Sequence, residues 1–426
     1  MKKHLSWLLN EIEVWVAEGI ITADQARKLR RRYPAPEQAG AWGRIAFAVA
    51  GAVLIGLGVI LLFAYNWQAM PKSAKLAVVF AALVAAHGTA FWTGRAAAKE
   101  TLHALGTMFF GAGIWLVAQV YHIDEHYPNA FIVWGLGALA LGWALPSLAQ
   151  GLMAAFLFAL WDGFEAFGFS DPNPGAPLLV LLGVLPLAWS LRSRVLQGAG
   201  LLSLLFTLFA AVQRQQLVMP VFLACAAMII AAGHLLQRSR APELAPVTLL
   251  IGNGLSLVLL FILSFPGSRT LPTLLFREAV PTLWIMLPFA GAFALWLAAL
   301  LPFRDLPARI AAGMRLEHLA APLALVVYFV QINVRHISGG FADAAPFNLL
   351  FLLAAVLMMH RGFRTVRLRS AVTGSVLLAS LAMARYADLF QSLLARAAVF
   401  LLVGGMMLVV GIFFARARRS RRGGAS

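Results

Sequence analysis

Residues 44–72 read RIAFAVAGAVLIGLGVILLFAYNWQAMPK, in which an apolar run begins after Arg44 and continues to Tyr65. A helix needs about 20 apolar residues to cross a bilayer, and it satisfies its own backbone without water. The run is long enough, and Trp67 follows it where an interfacial aromatic belt is expected. Because roughly forty mostly polar residues precede the run, we expect it to act as a retained signal-anchor.

The composition of the whole chain agrees with this first run. Apolar residues make up 61% of the chain and charged residues 12%, whereas soluble domains have roughly 45–50% and 25%. Apolar surface on that scale is expected to face lipid rather than to fill several soluble cores. Cys225 is the only cysteine, which excludes internal disulfides and cysteine metal clusters. The sequence predicts an all-α polytopic membrane protein, and no motif predicts a cofactor.

We predict fourteen transmembrane helices from the apolar runs. The stretch Phe265–Val280 lies between the ninth and tenth of them and is interrupted by Pro266 and Pro272. It forms either an outer loop or a re-entrant half-helix, which is tolerated only inside protein. The predicted spans are Ile45–Tyr65, Ser73–Trp92, Leu102–Tyr121, Ala130–Leu145, Leu148–Trp161, Ala176–Leu191, Val195–Val212, Val218–Leu236, Leu244–Ser264, Pro281–Leu301, Leu319–Asn333, Pro346–His360, Leu368–Ala384 and Leu393–Ala415.

The charges of the loops test the number of spans. With fourteen spans and both termini cytoplasmic, 26 of the 34 Lys and Arg residues fall on the cytoplasmic side, as the positive-inside rule requires. If the fourth and fifth runs, which Pro146 separates, formed one helix, the split would become 16 to 18 and the bias would vanish. The sequence therefore predicts a multi-pass protein of the bacterial cytoplasmic (inner) membrane with both ends inside.

The formal net charge of +17 is concentrated at span ends and in the tails of the chain. Basic groups in these places are expected to contact anionic lipid headgroups, so membrane lipids rather than nucleic acid are the predicted partners. We divide the chain into a cytoplasmic hairpin (1–40), a transmembrane domain (41–415) and a basic cytoplasmic tail (416–426).

Residues 4–33 predict two short amphipathic helices. The first ends at Gly19, a residue type that commonly terminates helices. The sequence Thr22-Ala-Asp-Gln25 then matches a capping box at the start of the second, basic helix. The hairpin either packs on the inner face of the membrane domain or docks a protein partner or a second copy of the chain through residues 4–33.

Four phrases of the sequence carry a family resemblance. They are WVAEGIIT at 15–22 with Gln25 and Tyr33, FAYNW at 63–67, AQVYHI at 118–123 and RYADLF at 385–390. Together they resemble the bacterial domain-of-unknown-function 2157 (DUF2157) membrane proteins, over roughly the first 145 residues and again over the final forty. The resemblance implies a multi-span inner-membrane protein and no particular activity.

One loop carries residues typical of a metal site. His122 and His126 follow the third span four residues apart, which would place two imidazoles on one helical face, with Glu125 beside them. The letters match the H-x-x-E-H pattern of some zinc peptidases. Pro128, however, indicates that the helix is ending there, so the alternative is a polar loop with unliganded histidines.

Carboxylates are concentrated in two predicted outer loops. Asp124 and Glu125 lie in the first of these loops, and Asp162, Glu165 and Asp171 lie in the second. Clustered charge raises the local counter-ion concentration, so these groups are candidates for the vestibule of a cation or amine pathway. Alternatively, they reflect only the exclusion of bases from the outer face.

Few polar groups lie within the predicted spans. The pathway candidates among them are Gln119, Asn253, Gln331 and Asn333. Asn253 stands between two glycines and is the best candidate for a ligand contact near the bilayer midplane. The competing interpretation is an interhelical hydrogen bond.

Three functions remain open from the sequence. The first is transport or channel-like handling of a small solute or lipid, and the second is a scaffold or sensor subunit that recruits a partner through the hairpin. The third is a metal-dependent enzyme of the outer face using His122, Asp124, Glu125 and His126. The H-x-x-E-H match spans only five residues of common loop types, so we favour the first two functions and leave enzymatic activity open.

Overall fold

The computed structural model describes residues 11–32, 71–123, 126–171, 173–213, 218–265, 282–301, 316–334, 341–365 and 368–388, with isolated helical positions between 47 and 61 and between 401 and 408. Nearly all of these residues are helical, and no strand occurs among them. The all-α prediction is therefore confirmed. The chain forms two compact units, Met1–Leu157 (unit 1) and Phe158–Ser426 (unit 2).

Unit 1 begins with the hairpin and continues with long apolar helices. The helix α6 crosses the boundary into unit 2 and ends in a π-helical turn over Phe164–Phe169. The helices are α1 (residues 11–17), α2 (Ala23–Arg32), α3 (Lys72–Trp92), α4 (Ala96–Tyr121), α5 (Asn129–Ala144) and α6 (Leu148–Gly163).

Unit 2 contains the remaining described helices. Short 3-10 turns, Pro242–Leu244 and Leu316–Leu319, precede two of them, and the middle of α7 is π-helical over Val180–Val184. The helices are α7 (Gly175–Ser190), α8 (Arg194–Val212), α9 (Val218–Leu236), α10 (Ala245–Leu263), α11 (Thr282–Leu300), α12 (Ala320–Val334), α13 (Phe341–Arg364) and α14 (Leu368–Asp388).

The described helices follow the predicted spans closely. Every predicted span from Ser73–Trp92 to Leu368–Ala384 lies on one of them. Within the described residues, seven helices are long and apolar enough to cross a membrane, and four more are apolar but shorter. The first and last predicted spans, Ile45–Tyr65 and Leu393–Ala415, lie mostly outside the described residues, as does most of Phe265–Val280.

The fourth and fifth apolar runs form two separate helices. The helix α5 ends at Ala144 and α6 begins at Leu148. The Ser147 hydroxyl accepts a hydrogen bond from the backbone N–H of Gln150 (3.2 Å), which satisfies one of the free donors at the start of α6. The sequence-based expectation of a break at Pro146 is thus confirmed.

The predicted capping box of the hairpin is present. The backbone N–H of Thr22 donates to Gln25 Oε1 (2.9 Å), and the backbone N–H of Gln25 donates to Thr22 Oγ1 (3.3 Å). Gly19 has φ +74, a left-handed conformation that glycine adopts without steric cost. These local signals fix where α1 ends and where α2 begins.

The most buried candidate span is α9, which packs against α10, α11 and α12. Its small side chains allow this close packing: Ala224, Ala226 and Ala227 are fully buried. On α10, Gly252 lies directly against Ile230 of α9, because a Cβ at Gly252 would be 2.8 Å from Ile230 Cγ1 and 3.0 Å from its backbone nitrogen. The α9–α10 contact therefore depends on the absence of a side chain at Gly252.

We predict that Gly252→Ala destabilises the protein by about 1–3 kcal/mol, because the added methyl group overpacks the α9–α10 contact. Gly254 on the same helix is the matched control, since a Cβ there meets no atom within 4 Å. Gly254→Ala should leave the melting temperature of the detergent-solubilised protein unchanged or slightly raised. Equal effects of the two substitutions would contradict the packing described above.

Candidate functional site

The helices α3, α4 and α5 bring three chain segments together at one end of unit 1. The Lys72 amine, at the start of α3, lies 5.9 Å from the ring centre of Tyr121 at the end of α4. The Trp115 ring of α4 is 6.5 Å from the Tyr127 ring, just before α5, and 5.6 Å from the Phe131 ring in α5. This end of the unit is therefore aromatic and carries a cation.

A groove of about 570 Å³ opens between these three helices. Binding pockets of roughly 300–1,000 Å³ are typical for small ligands. The body of the groove is apolar, and the polar side chains His126, Tyr127 and Asn129 lie at the Tyr121 end. Its lining consists of Leu76, Val79, Phe80 and Leu83 of α3, Phe109, Phe110 and Gly113–Ala118 of α4, the loop residues Ile123, His126 and Tyr127, and Asn129, Ala130 and Val133 of α5.

The groove has the chemistry of a site for an amphiphile. Several lining side chains are more than two-fifths exposed, among them Phe80, Tyr127 and Val133. Apolar side chains that are exposed on a membrane-spanning helix contact lipid tails. The groove thus combines an apolar body with the polar side chains of Tyr127, His126 and Asn129 at one end.

The two loop histidines do not share a helical face. The helix α4 ends at Tyr121, and His122 adopts a left-handed conformation with φ 54. The four-residue spacing of His122 and His126 is therefore no argument for a metal pair. Glu125 and Asp124 lie outside the described residues, and within those residues no group of three His, Cys, Asp or Glu side chains is placed to hold a metal ion.

A buried polar network joins the helices of unit 1. His87 Nδ1 of α3 lies 2.9 Å from His103 Nδ1 of α4, so one ring donates and the other accepts. One turn further, the Thr107 hydroxyl donates to Gln150 Oε1 of α6 (2.9 Å). The indole N–H of Trp134 in α5 donates to the Thr107 carbonyl (2.8 Å). The network thus ties four helices together through α4.

Glu100 extends the network to the start of α6. Its Oε1 accepts hydrogen bonds from the Ser147 hydroxyl (2.8 Å) and from the backbone N–H of Ala149 (2.9 Å). A carboxylate at a helix N-terminus is favourable because it faces unsatisfied N–H groups and the positive end of the helix dipole. Glu100 falls between the second and third predicted spans, and no local pattern indicates this role, because its partners lie almost fifty residues away.

Two glycines of α4 make room for the rings of the network. A Cβ at Gly106 would lie 2.5–2.8 Å from the His87 ring, and the indole of Trp134 covers Gly111 in the same way. The spacing of small residues along α4 is the sequence feature that could have indicated close packing here. Glycine alone, however, does not tell which ring will cover it.

Unit 2 contains a second buried histidine pair. His318 Nδ1 lies 3.1 Å from His234 Nε2, and the Trp296 ring packs beside His234. The neighbouring Glu317 forms an ion pair with Arg361 of α13 and is buried, whereas Arg361 is partly exposed. No sequence pattern indicated these contacts, because they join positions far apart along the chain.

Asp162 and Glu165 are buried in unit 2, which does not fit the predicted open vestibule. Asp162 is fully buried, and its Oδ1 accepts the backbone N–H of Asn173 (3.1 Å). Glu165 is 6% exposed, and its Oε1 accepts the indole N–H of Trp161 (3.2 Å). Asp171 is exposed.

The remaining pathway candidates lie on three different helices. Gln119 is exposed on α4, and Asn253 is half-buried on α10. Gln331 is buried and donates to the Asp343 carbonyl (3.2 Å). The side chain of Asn333 lies outside the described residues. These candidates therefore lie on α4, α10 and α12, and those with described side chains differ in how far they are buried.

Residues 13–151 match the family model described as "Predicted membrane protein (DUF2157)". The predicted resemblance is confirmed over this DUF2157 segment, whereas the resemblance at 385–390 lies outside it and stays a prediction. No curated protein and no solved structure matches the chain. The DUF2157 segment contains the groove and every residue of the unit 1 polar network, so the candidate site lies in the recognised part of the chain.

We predict that Thr107→Val lowers the stability of the protein by about 1–3 kcal/mol, because it leaves the buried Gln150 oxygen without its donor. Thr101→Val on the same helix is the control, since the Thr101 hydroxyl bonds the Ala97 carbonyl within α4 in a more exposed place. The control should change stability by less than about 0.5 kcal/mol. Thermal unfolding in detergent measures both variants, and a neutral Thr107→Val would show that the Thr107–Gln150 bond does not stabilise unit 1.

Proposed function

We propose that the protein transports a lipid-like amphiphile, with the groove of unit 1 holding its apolar chain. The observation that carries this proposal is the groove itself: an apolar cavity of about 570 Å³ along membrane-type helices, with His126, Tyr127 and Asn129 at one end. A small hydrophilic solute would find few polar partners along this lining. The location of the groove within the DUF2157 segment also supports the proposal.

The polar end of the groove favours a ligand with a hydrogen-bonding head. The Lys72 amine beside Tyr121 adds a cation at this end of unit 1. Tyr and Trp side chains commonly lie at the level of lipid headgroups. A membrane amphiphile would therefore enter with its tail along α3, α4 and α5 and its head near Tyr127.

Filling the groove should slow this activity. Val133 on α5 lines the groove and is 48% exposed, whereas Leu136, one turn on, is 43% exposed and does not line it. In liposomes that contain a headgroup-labelled phospholipid, wild-type protein should move the label between leaflets faster than empty vesicles do. Val133→Trp should slow this movement several-fold because the indole occupies the space of the acyl chain, and Leu136→Trp should not.

A second readout is the lipid that remains bound during purification. Native mass spectrometry should detect a retained lipid on the wild type and on Leu136→Trp, with less on Val133→Trp. If wild-type protein neither moves the label above empty vesicles nor retains lipid, the proposed transport is wrong. Equal activity of the two tryptophan variants would place the activity elsewhere.

We further propose fourteen spans with both termini cytoplasmic, in a bacterial inner membrane. Two observations support this count: every described apolar run from 73 to 384 lies on a helix, and α5 and α6 are separate. With this count, 26 of the 34 Lys and Arg residues fall on one side, which supports the proposed orientation.

Two exposed loop serines test this topology. A map with fourteen spans places Ser170 on the outer side of the membrane and Ser239 on the cytoplasmic side. If the fourth and fifth spans formed one helix, the two serines would lie on the opposite sides. In a Cys225→Ala background, a membrane-impermeant thiol reagent applied to intact cells should label Ser170→Cys, because the reagent reaches only the outer face. Ser239→Cys should be labelled only after the cells are opened, and the reverse pattern would refute the map.

A further inference from the structure

Asp162 is a carboxyl group that the fold buries without a full set of partners. Its exposure is 0%, and its Oδ1 accepts one hydrogen bond, from the backbone N–H of Asn173. Its Oδ2 has no hydrogen-bond partner. An ionised carboxylate with an unsatisfied buried oxygen is far more costly than the neutral acid, so such groups neutralise unless a cation pairs with them.

The elements packed around Asp162 bring no such cation in the described part of the chain. On its own helix and the following loop, the ionisable neighbours are Glu165 and Asp171, both acidic. The helix α7 contains no ionisable residue. The helix α8 packs on the π-helical turn through Phe206, which lies beside Gly163 and Phe167. Its Arg194 begins the helix about 18 Å from Phe206 and donates to the Glu243 carbonyl.

We propose that Asp162 is an interior proton-binding site, and that it is a neutral carboxylic acid in this buried position. The Asn173 N–H serves only Oδ1, so ionisation of Asp162 requires the free Oδ2 atom to gain water. The π-helical turn Phe164–Phe169 links Asp162 to the loop at Asn173, because Glu165 O accepts the backbone N–H of Asp171 (3.0 Å). Turns of this kind often occur at functional sites.

A proton fits the site better than a metal ion. Metal cations take several oxygen ligands, and within the described residues no group of three His, Cys, Asp or Glu is suitably placed. A proton requires only the free Oδ2 atom. The site is distinct from the groove in unit 1, so its test does not depend on transport of an amphiphile.

Infrared spectroscopy of the full-length protein in detergent tests this inference directly. A protonated carboxyl group gives a C=O stretch that an ionised carboxylate lacks. At neutral pH the wild type should show this band, and Asp162→Asn should lose it, since asparagine preserves the acceptor for Asn173 but holds no acidic proton. Asp171→Asn is the matched control and should retain the band, because it changes an exposed carboxyl group and leaves Asp162 in place.

The pH dependence of stability gives a second test that needs only a folded wild type. A carboxyl group that binds a proton in the folded state more tightly than in the unfolded chain makes the protein less stable as pH rises. The melting temperature of the wild type should therefore fall between acidic and neutral pH, and the slope should be smaller in Asp162→Asn than in Asp171→Asn. No carboxyl band at neutral pH in the wild type, a band that persists in Asp162→Asn, or a wild-type melting temperature that rises with sodium ion instead of with acid would overturn the proposal.

Discussion

Polar groups inside a bilayer must find their partners within the protein, and this constraint determines how the helices of each unit are held together. Between lipid-embedded helices there is little hydrophobic driving force, because lipid tails are as apolar as leucine. In unit 1, α4 satisfies the constraint through His103 and Thr107, which reach α3 and α6. In unit 2, the His234–His318 contact and the Glu317–Arg361 ion pair do the same. These contacts specify which helices are neighbours, whereas apolar packing alone would allow several arrangements.

The second requirement is that neighbouring helices approach closely, and glycine residues allow this. Gly106 and Gly111 allow the rings of His87 and Trp134 to lie against α4, so the network residues reach their partners at hydrogen-bonding distance. Gly374 of α14 similarly lies against the backbone of α13 at Ala355. The groove lies further along the same α3–α4–α5 bundle, and its shape therefore depends on helices that the network holds in place.

Local sequence signals predicted the local structure well. Apolar runs long enough to cross a membrane correctly predicted the positions of the described helices. Thr22 and Gln25 formed the expected capping box because both residues lie within one turn. The candidate site was predicted less well. The separation of His122 and His126 implied a shared helical face, but α4 ends at Tyr121. The contacts of Glu100, and that between His234 and His318, 84 residues apart, depend on which helices pack together. No periodicity or motif in a single sequence encodes that pairing.

Unit 2 contains two different solutions to the problem of a buried carboxylate. Glu317 is neutralised by Arg361, and an arginine remains charged at any physiological pH. That ion pair is therefore a permanent contact, and removing one partner would leave an uncompensated charge. Asp162 accepts the Asn173 N–H, and we have proposed that a proton takes the place of an arginine there. Under that proposal the neutral form depends on the proton activity of the surroundings, so a buried carboxyl group is a fixed contact at Glu317 and a responsive one at Asp162. Within the described residues no hydrogen-bond partner reaches Asp162 Oδ2, and this difference from the paired Glu317 is the basis for proposing a role in proton exchange.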